Sequence, residues 1–88
     1  MNMAEQLRER LSALHPEMLE IVDESSKHVG HPGAASGGGH YRVIIVAQSF
    51  AGKSQVARHR LVYDAVGDLM RREVHALAIQ AIAPNESK

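Results

Sequence analysis

Five of the seven glycines in this 88-residue chain, Gly30, Gly33, Gly37, Gly38 and Gly39, fall between positions 30 and 39, with Pro32 among them. Residues 25–39 carry no apolar period, and glycine at this density opposes helix and strand alike. The stretch predicts a flexible loop, and loops this long inside a compact domain are functional or disordered. The fold must therefore be assembled from two blocks of sequence that meet across it. His28 and His31 lie on the loop, and His40 closes it.

The elements flanking the loop read as strands. Before it, Met18–Glu24 (MLEIVDE) alternates, with Leu19 and Ile21 on one side and Glu20 facing away. After it, Tyr41–Gln48 (YRVIIVAQ) is short, β-branched and apolar at its centre, the pattern of a buried strand. A helix precedes the first strand. Met3, Leu7, Leu11 and Leu14 recur on one face, Asn2 followed by Glu5 resembles a capping box, and Pro16 blocks continuation. Beyond the second strand, Ser54 is a plausible N-cap, and Val62, Val66 and Leu69 carry the apolar face of a helical stretch over 54–71 that Gly67 breaks in two. Val74–Ala83 (VHALAIQAIA) alternates again, with Leu77 and Ile79 on one face and His75 expected on that same face. Pro84 and the polar tail end the domain.

The order helix–strand–strand–helix–helix–strand predicts an α+β class: one two-layer domain over 1–88, ordered from about residue 3 to 84, with helices on one face of a three-stranded mixed sheet. A crossover from the second strand through helices to the third is expected to be right-handed and to make those strands parallel. Parallel strands start at the same edge of a sheet. The loop feeds the second strand at that edge and His75 opens the third there, so a loop histidine and His75 can meet although they are far apart in sequence.

Composition narrows the chemistry. There is no cysteine, so disulfides, thiol catalysis and thiolate metal sites within the chain are excluded. Ten basic residues balance ten acidic ones, and one Phe, two Tyr and no Trp leave no base-stacking surface. No apolar run approaches the ~20 residues of a membrane span, and the start MNMAEQLRER has no apolar signal core, so a cytoplasmic protein without membrane contact is expected. Six histidines are the surplus, and imidazole titrates near neutrality and ligates metals. AQSFAGKS (47–54) imitates a phosphate-binding loop, but Ala47 stands where its first glycine belongs. Asp23 and Glu24 are adjacent and point to opposite faces, so they form no acid–base pair, and Ser25 and Ser26 lie in no nucleophile elbow. The sequence predicts no enzyme.

DESSKHVGHPG (23–33), HYRVIIVAQSFAGKS (40–54), RHRLVYDAVGDLM (58–70) and VHALAIQAIAP (74–84) together resemble the BolA-like protein family, over roughly residues 5 to 84. The resemblance implies a fold related to class II KH domains, although Gly52 alone remains of the KH GxxG loop. It implies a non-enzymatic role in iron–sulfur trafficking, with a [2Fe–2S] cluster shared with a monothiol glutaredoxin and its glutathione. The family's loop ligand falls at His28, with His31 the alternative, and its second ligand falls at His75. A cluster needs four ligands and this chain offers no thiolate, so the isolated chain is expected to hold none. A mononuclear zinc or copper site from His28, His31, His75 and His40 is a weaker variant. On the residues alone, His75 reads more simply as a partly buried histidine at a strand start, and the loop histidines as polar loop residues.

Some members of the family are DNA-binding transcriptional regulators, which is the alternative function. Lys53, Arg58, His59 and Arg60 form a local basic patch that would meet a partner surface or phosphates. The plainer reading has His59 hydrogen-bonded within the domain and the arginines solvated. With no net charge, any affinity for DNA would be weak and salt-sensitive.

Overall fold

The computed structural model describes residues 2–24, 39–72 and 74–86, with the side chains of Arg71, Arg72 and His75 outside that description. The loop residues 25–38, including His28 and His31, also lie outside the described residues.

Helix α1 spans Met3–Leu11 and continues as a 3-10 turn over Ser12–Leu14. Its start is capped by Asn2 as expected, whose side chain accepts from the Glu5 amide at 2.9 Å and donates to the Glu5 carboxylate at 3.0 Å. Strand β1 (Met18–Asp23) runs antiparallel to β2 (Gly39–Val46), which pairs in parallel with β3 (Val74–Ile82). The sheet order is β1-β2-β3, so the strand after the loop is the central one. Between β2 and β3 the chain forms α2 (Gln55–Val66) and the single-turn α3 (Leu69–Arg72), separated where Gly67 takes φ +63°. The Ser54 hydroxyl caps α2, accepting from the Ala57 amide at 3.2 Å.

The element types and order match the sequence expectation, and so does the parallel crossover. Boundaries moved at β2, which begins two residues earlier than expected, inside the glycine run. It also ends earlier, because Gln48–Phe50 close into a 3-10 turn that drives Phe50 into the core. That turn is what the imitation of a phosphate loop becomes: a packing device with a buried phenyl ring at its centre.

The core lies between the sheet and the helices. Val43 and Ile45 of β2, Leu7 and Leu11 of α1, Val62 and Val66 of α2, Leu69 and Phe50 form its fully enclosed centre. Spacings of four residues (7/11 and 62/66) set this face on each helix, and alternation sets it on the strand. Arg10 ties α1 to the end of α2, donating to the Val66 carbonyl at 2.8 Å and to Asp68 at 3.0 Å. Among the described residues, no helix is long and apolar enough to cross a membrane.

Candidate functional site

The parallel ladder begins where the loop returns to the sheet. Gly39 pairs with Val74 and His40 with Ala76, so one step along β2 is matched by two along β3. His75 is the extra residue of that bulge, and its backbone stands opposite the Gly39–His40 step. Bulges break the strict alternation of a strand and re-aim the residues beside them. The effect is visible in burial: Val74 is 4% exposed and belongs to the core, as do Ala81 and, partly, Leu77 and Ile79. The core-side series on β3 therefore runs 74, 77, 79, 81, with a step of three across His75. The expectation that His75 shares the face of Leu77 and Ile79 concerns a side chain outside the described residues.

Two further features shape this end of the sheet. The Tyr41 ring folds back along its own strand, so a Cβ at Gly39 would collide with the ring and force it to shift. Glycine is thus favoured here by close approach. Across β2, the Glu24 amide donates to the His40 carbonyl at 2.7 Å, and the Arg42 guanidinium meets the Glu24 carboxylate at 3.2 Å. Glu24 is therefore part of an ion pair. Of the candidate imidazole donors, His75 has its backbone at this end of the sheet, while His28 and His31 and the His75 side chain lie outside the described residues. Among the described residues no group of three or more His, Asp or Glu forms a metal site.

The basic stretch 53–60 is divided by the structure. Lys53 and Arg60 are exposed and His59 is half-buried, but Arg58 is 5% exposed and turned inward. Its Nε donates to the Lys53 carbonyl at 2.9 Å and one terminal nitrogen donates to the Ala81 carbonyl at 3.1 Å. Both terminal nitrogens grip the Glu86 carboxylate, at 2.6 and 2.8 Å. The same carboxylate accepts from the Ala83 amide at 3.1 Å. Hydrogen bonds from Arg58 and then from Ala83 hold the Glu86 carboxyl at about 2, well below the usual carboxylate range. The Arg58 pKa is raised in turn, chiefly by the hydrogen bond to Glu86.

Arg58 is consequently neither a solvated arginine nor a residue presented to a partner. It is an internal clamp joining α2, β3 and the C-terminal 3-10 turn Pro84–Glu86. Sequence reasoning missed the clamp, although one signal was present: Arg58 stands four residues before Val62 and eight before Val66, on the buried face of α2. On the outer face of that helix, Val56, His59, Arg60 and Tyr63 line a shallow hollow. Val56 is 70% and Tyr63 41% exposed, so this surface is apolar with a cationic rim rather than a phosphate cradle.

A sequence model described as BolA-like protein matches residues 11–86 of the chain. BolA-like protein 1 of Bos taurus is 45% identical over 76 residues, covering 86% of this chain and 54% of the relative. The chain thus spans about half the length of that relative. The DNA-binding transcriptional regulator BolA of Escherichia coli K12 is 34% identical over 87 residues, covering 98% of this chain and 80% of the regulator. Among solved structures, BolA1 from Arabidopsis thaliana superposes with a TM-score of 0.84 at 36% identity, over 100% of this chain and 99% of that one.

Proposed function

This chain belongs to the BolA-like protein family, and from that premise we propose that it is a non-enzymatic accessory protein of iron–sulfur metabolism that shares a [2Fe–2S] cluster with a monothiol glutaredoxin. His75 and a loop histidine, His28 with His31 as its substitute, supply this chain's share of the ligands. The observation that carries the reading is the parallel β2–β3 pairing, which sets the backbone of His75 opposite the point where the loop re-enters the sheet.

The donor chemistry supports a shared cluster over one held by this chain alone. Imidazole replaces thiolate on one iron of a two-iron cluster readily enough, but a second iron needs sulfur ligands that a chain without cysteine lacks. The partner's thiol and glutathione would provide them. The cluster supplies a labile or redox-active iron pair when bound; this chain's residues hold one side of it and seat the partner. The exposed apolar and cationic surface of Val56, His59, Arg60 and Tyr63 is suited to a protein contact.

Anaerobic reconstitution of the cluster with a monothiol glutaredoxin, with and without this chain, tests the reading through visible circular dichroism. The chain should change the spectrum. His75→Ala should remove that change, His28→Ala should weaken it with partial substitution by His31, and His59→Ala should leave it intact. An unchanged spectrum on adding the chain, or loss with His59→Ala but not with His75→Ala, refutes the assignment. Reconstituted alone and desalted, the chain should retain no stoichiometric iron and sulfide.

One observation favours a second reading, that of a DNA-binding regulator: the relative from Escherichia coli bears that description over nearly the whole of this chain. With Arg58 withdrawn into the clamp, Lys53 and Arg60 are the full charges left in the patch. A duplex contact made by those two alone would show a log K against log salt slope of about −2. A much steeper slope with sequence selectivity would favour this reading over the first.

A further inference from the structure

The two outer strands of the sheet present different edges. In β1 the outward-facing carbonyl of Leu19 accepts from the Arg8 guanidinium at 3.2 Å, and Glu17, Glu20 and Asp23 place charge along the strand. These are the usual devices that stop a free edge from pairing with another chain. β3 has none of them over most of its length. Its nine residues, VHALAIQAI, contain no Asp, Glu, Lys, Arg or Pro.

Hydrogen bonding fixes which backbone groups of β3 are free. The Ala47 amide donates to the Ile82 carbonyl at 3.0 Å, so Ile82, and with it Gln80 and Ala78, turn their backbone groups toward β2. Leu77, Ile79 and Ala81 turn theirs outward. The Ala81 carbonyl is taken by Arg58. What remains open is the amide and carbonyl of Leu77 and of Ile79, for which no described residue provides a partner. The side chains agree: Leu77 and Ile79 stay partly exposed, whereas Val43 and Ile45 on the same face of β2 are fully enclosed. The helical layer stops short of this margin.

We infer that the β3 edge is a self-association surface, on which a second copy of this chain adds its own β3 antiparallel about a two-fold axis at Ala78. This centre follows from the free groups. Leu77 of each copy then meets Ile79 of the other and exchanges both backbone bonds with it, about four hydrogen bonds in all. On the open face Ala76 of each copy lies beside Gln80 of the other, a small side chain against a long one. No charge opposes a like charge across the axis, and a net charge of zero adds no long-range repulsion. A foreign strand would satisfy the same backbone groups, but the segment's own sequence supplies this match of side-chain sizes about one point. A single pair of strands buries less than the ~1,200 Å² of a standard interface, so the dimer is concentration-dependent rather than obligate.

Sedimentation velocity and amide hydrogen exchange on the intact chain, from about 10 μM to about 1 mM, the range expected of a weak interface, test the inference. The weight-average mass should rise with concentration, and no disulfide can contribute because the chain lacks cysteine. Protection of the Leu77 and Ile79 amides should rise with it, while Ala78 and Gln80, bonded to β2, stay protected throughout. Ala78 is exposed, so Ala78→Lys keeps the fold while setting two ammonium groups face to face at the axis. It should abolish both concentration effects with an unchanged far-ultraviolet spectrum, and Glu20→Lys on the other edge strand should leave them in place. A mass that stays monomeric at 1 mM overturns the inference. So does a dimer that survives Ala78→Lys, or one that protects Leu19 and Ile21 instead.

Discussion

The two ends of the β2–β3 ladder are built on opposite plans. At the far end the chain is tied down: Phe50 is sealed in the core, the Ala47 amide bonds to Ile82, and Arg58 joins three elements through Lys53, Ala81 and Glu86. At the near end the ladder starts on a glycine, slips by one residue at His75 and receives the loop. The backbone of His75, one proposed ligand, stands at the near end, and the strongest packing at the far one. Rigidity at one end of a strand positions what the other end carries, since a parallel pair anchored along its length has little freedom in register.

The sharpest challenge to that contrast is Phe50→Ala. Removing a fully buried ring at the far end should cost about 3–5 kcal/mol. For a domain this small, with about 4–8 °C of midpoint for each kcal/mol, the variant should melt far below the wild type in a thermal scan. Gly39→Ala tests the near end. The new methyl must displace the Tyr41 ring, an overpacking cost of about 1–3 kcal/mol, read as a lower urea midpoint together with altered tyrosine fluorescence. Should Gly39→Ala prove costlier than Phe50→Ala, the ranking of the two ends is inverted.

Glu86→Gln probes the clamp with a smaller effect and a definite sign. A carboxyl held at about 2 in the folded chain, against an ordinary value of 4.5, contributes stability above pH 4.5 and loses it as pH falls toward 2. Wild type should therefore lose stability through that window, and the Gln variant, less stable at neutral pH, should lose less; equal slopes in acid-unfolding curves would show the clamp to be inert. The smallest effect belongs to His59→Ala, on the outer face of α2. Its thermal midpoint should correspond to a change within about 0.5 kcal/mol; a larger loss would mean that the outer face is part of the fold's support.

Much of the fold was legible because periodicity is local. Leu7 and Leu11, Val62 and Val66, and the alternation around Val43 and Ile45 each announce a buried face from side chains a few positions apart. Gly67 and Ser54 mark their boundaries by backbone preference and capping, which are equally local. Arg58 was read by its charge, and Glu86 as part of a polar tail, because nothing within a few residues of either reveals the other. The bulge at His75 escaped because the run was read as one alternation although Val74 stands three residues before Leu77, and the slip itself exists only in relation to Gly39 on another strand.

By itself the sequence determined the element types, their order, the parallel crossover and the impossibility of a thiolate site, since all of these follow from nearest-neighbour sterics, apolar periodicity and composition. It also confined any metal ligation by this chain to donors other than thiolate. Only the tertiary structure decided that Arg58 is an internal clamp, that His75 sits in a bulge, and that among the described residues the edge of β3 is left uncovered at Leu77 and Ile79 while that of β1 is guarded by Arg8. Those features depend on which strands lie side by side and on which way each backbone amide turns, and long-range pairing sets both.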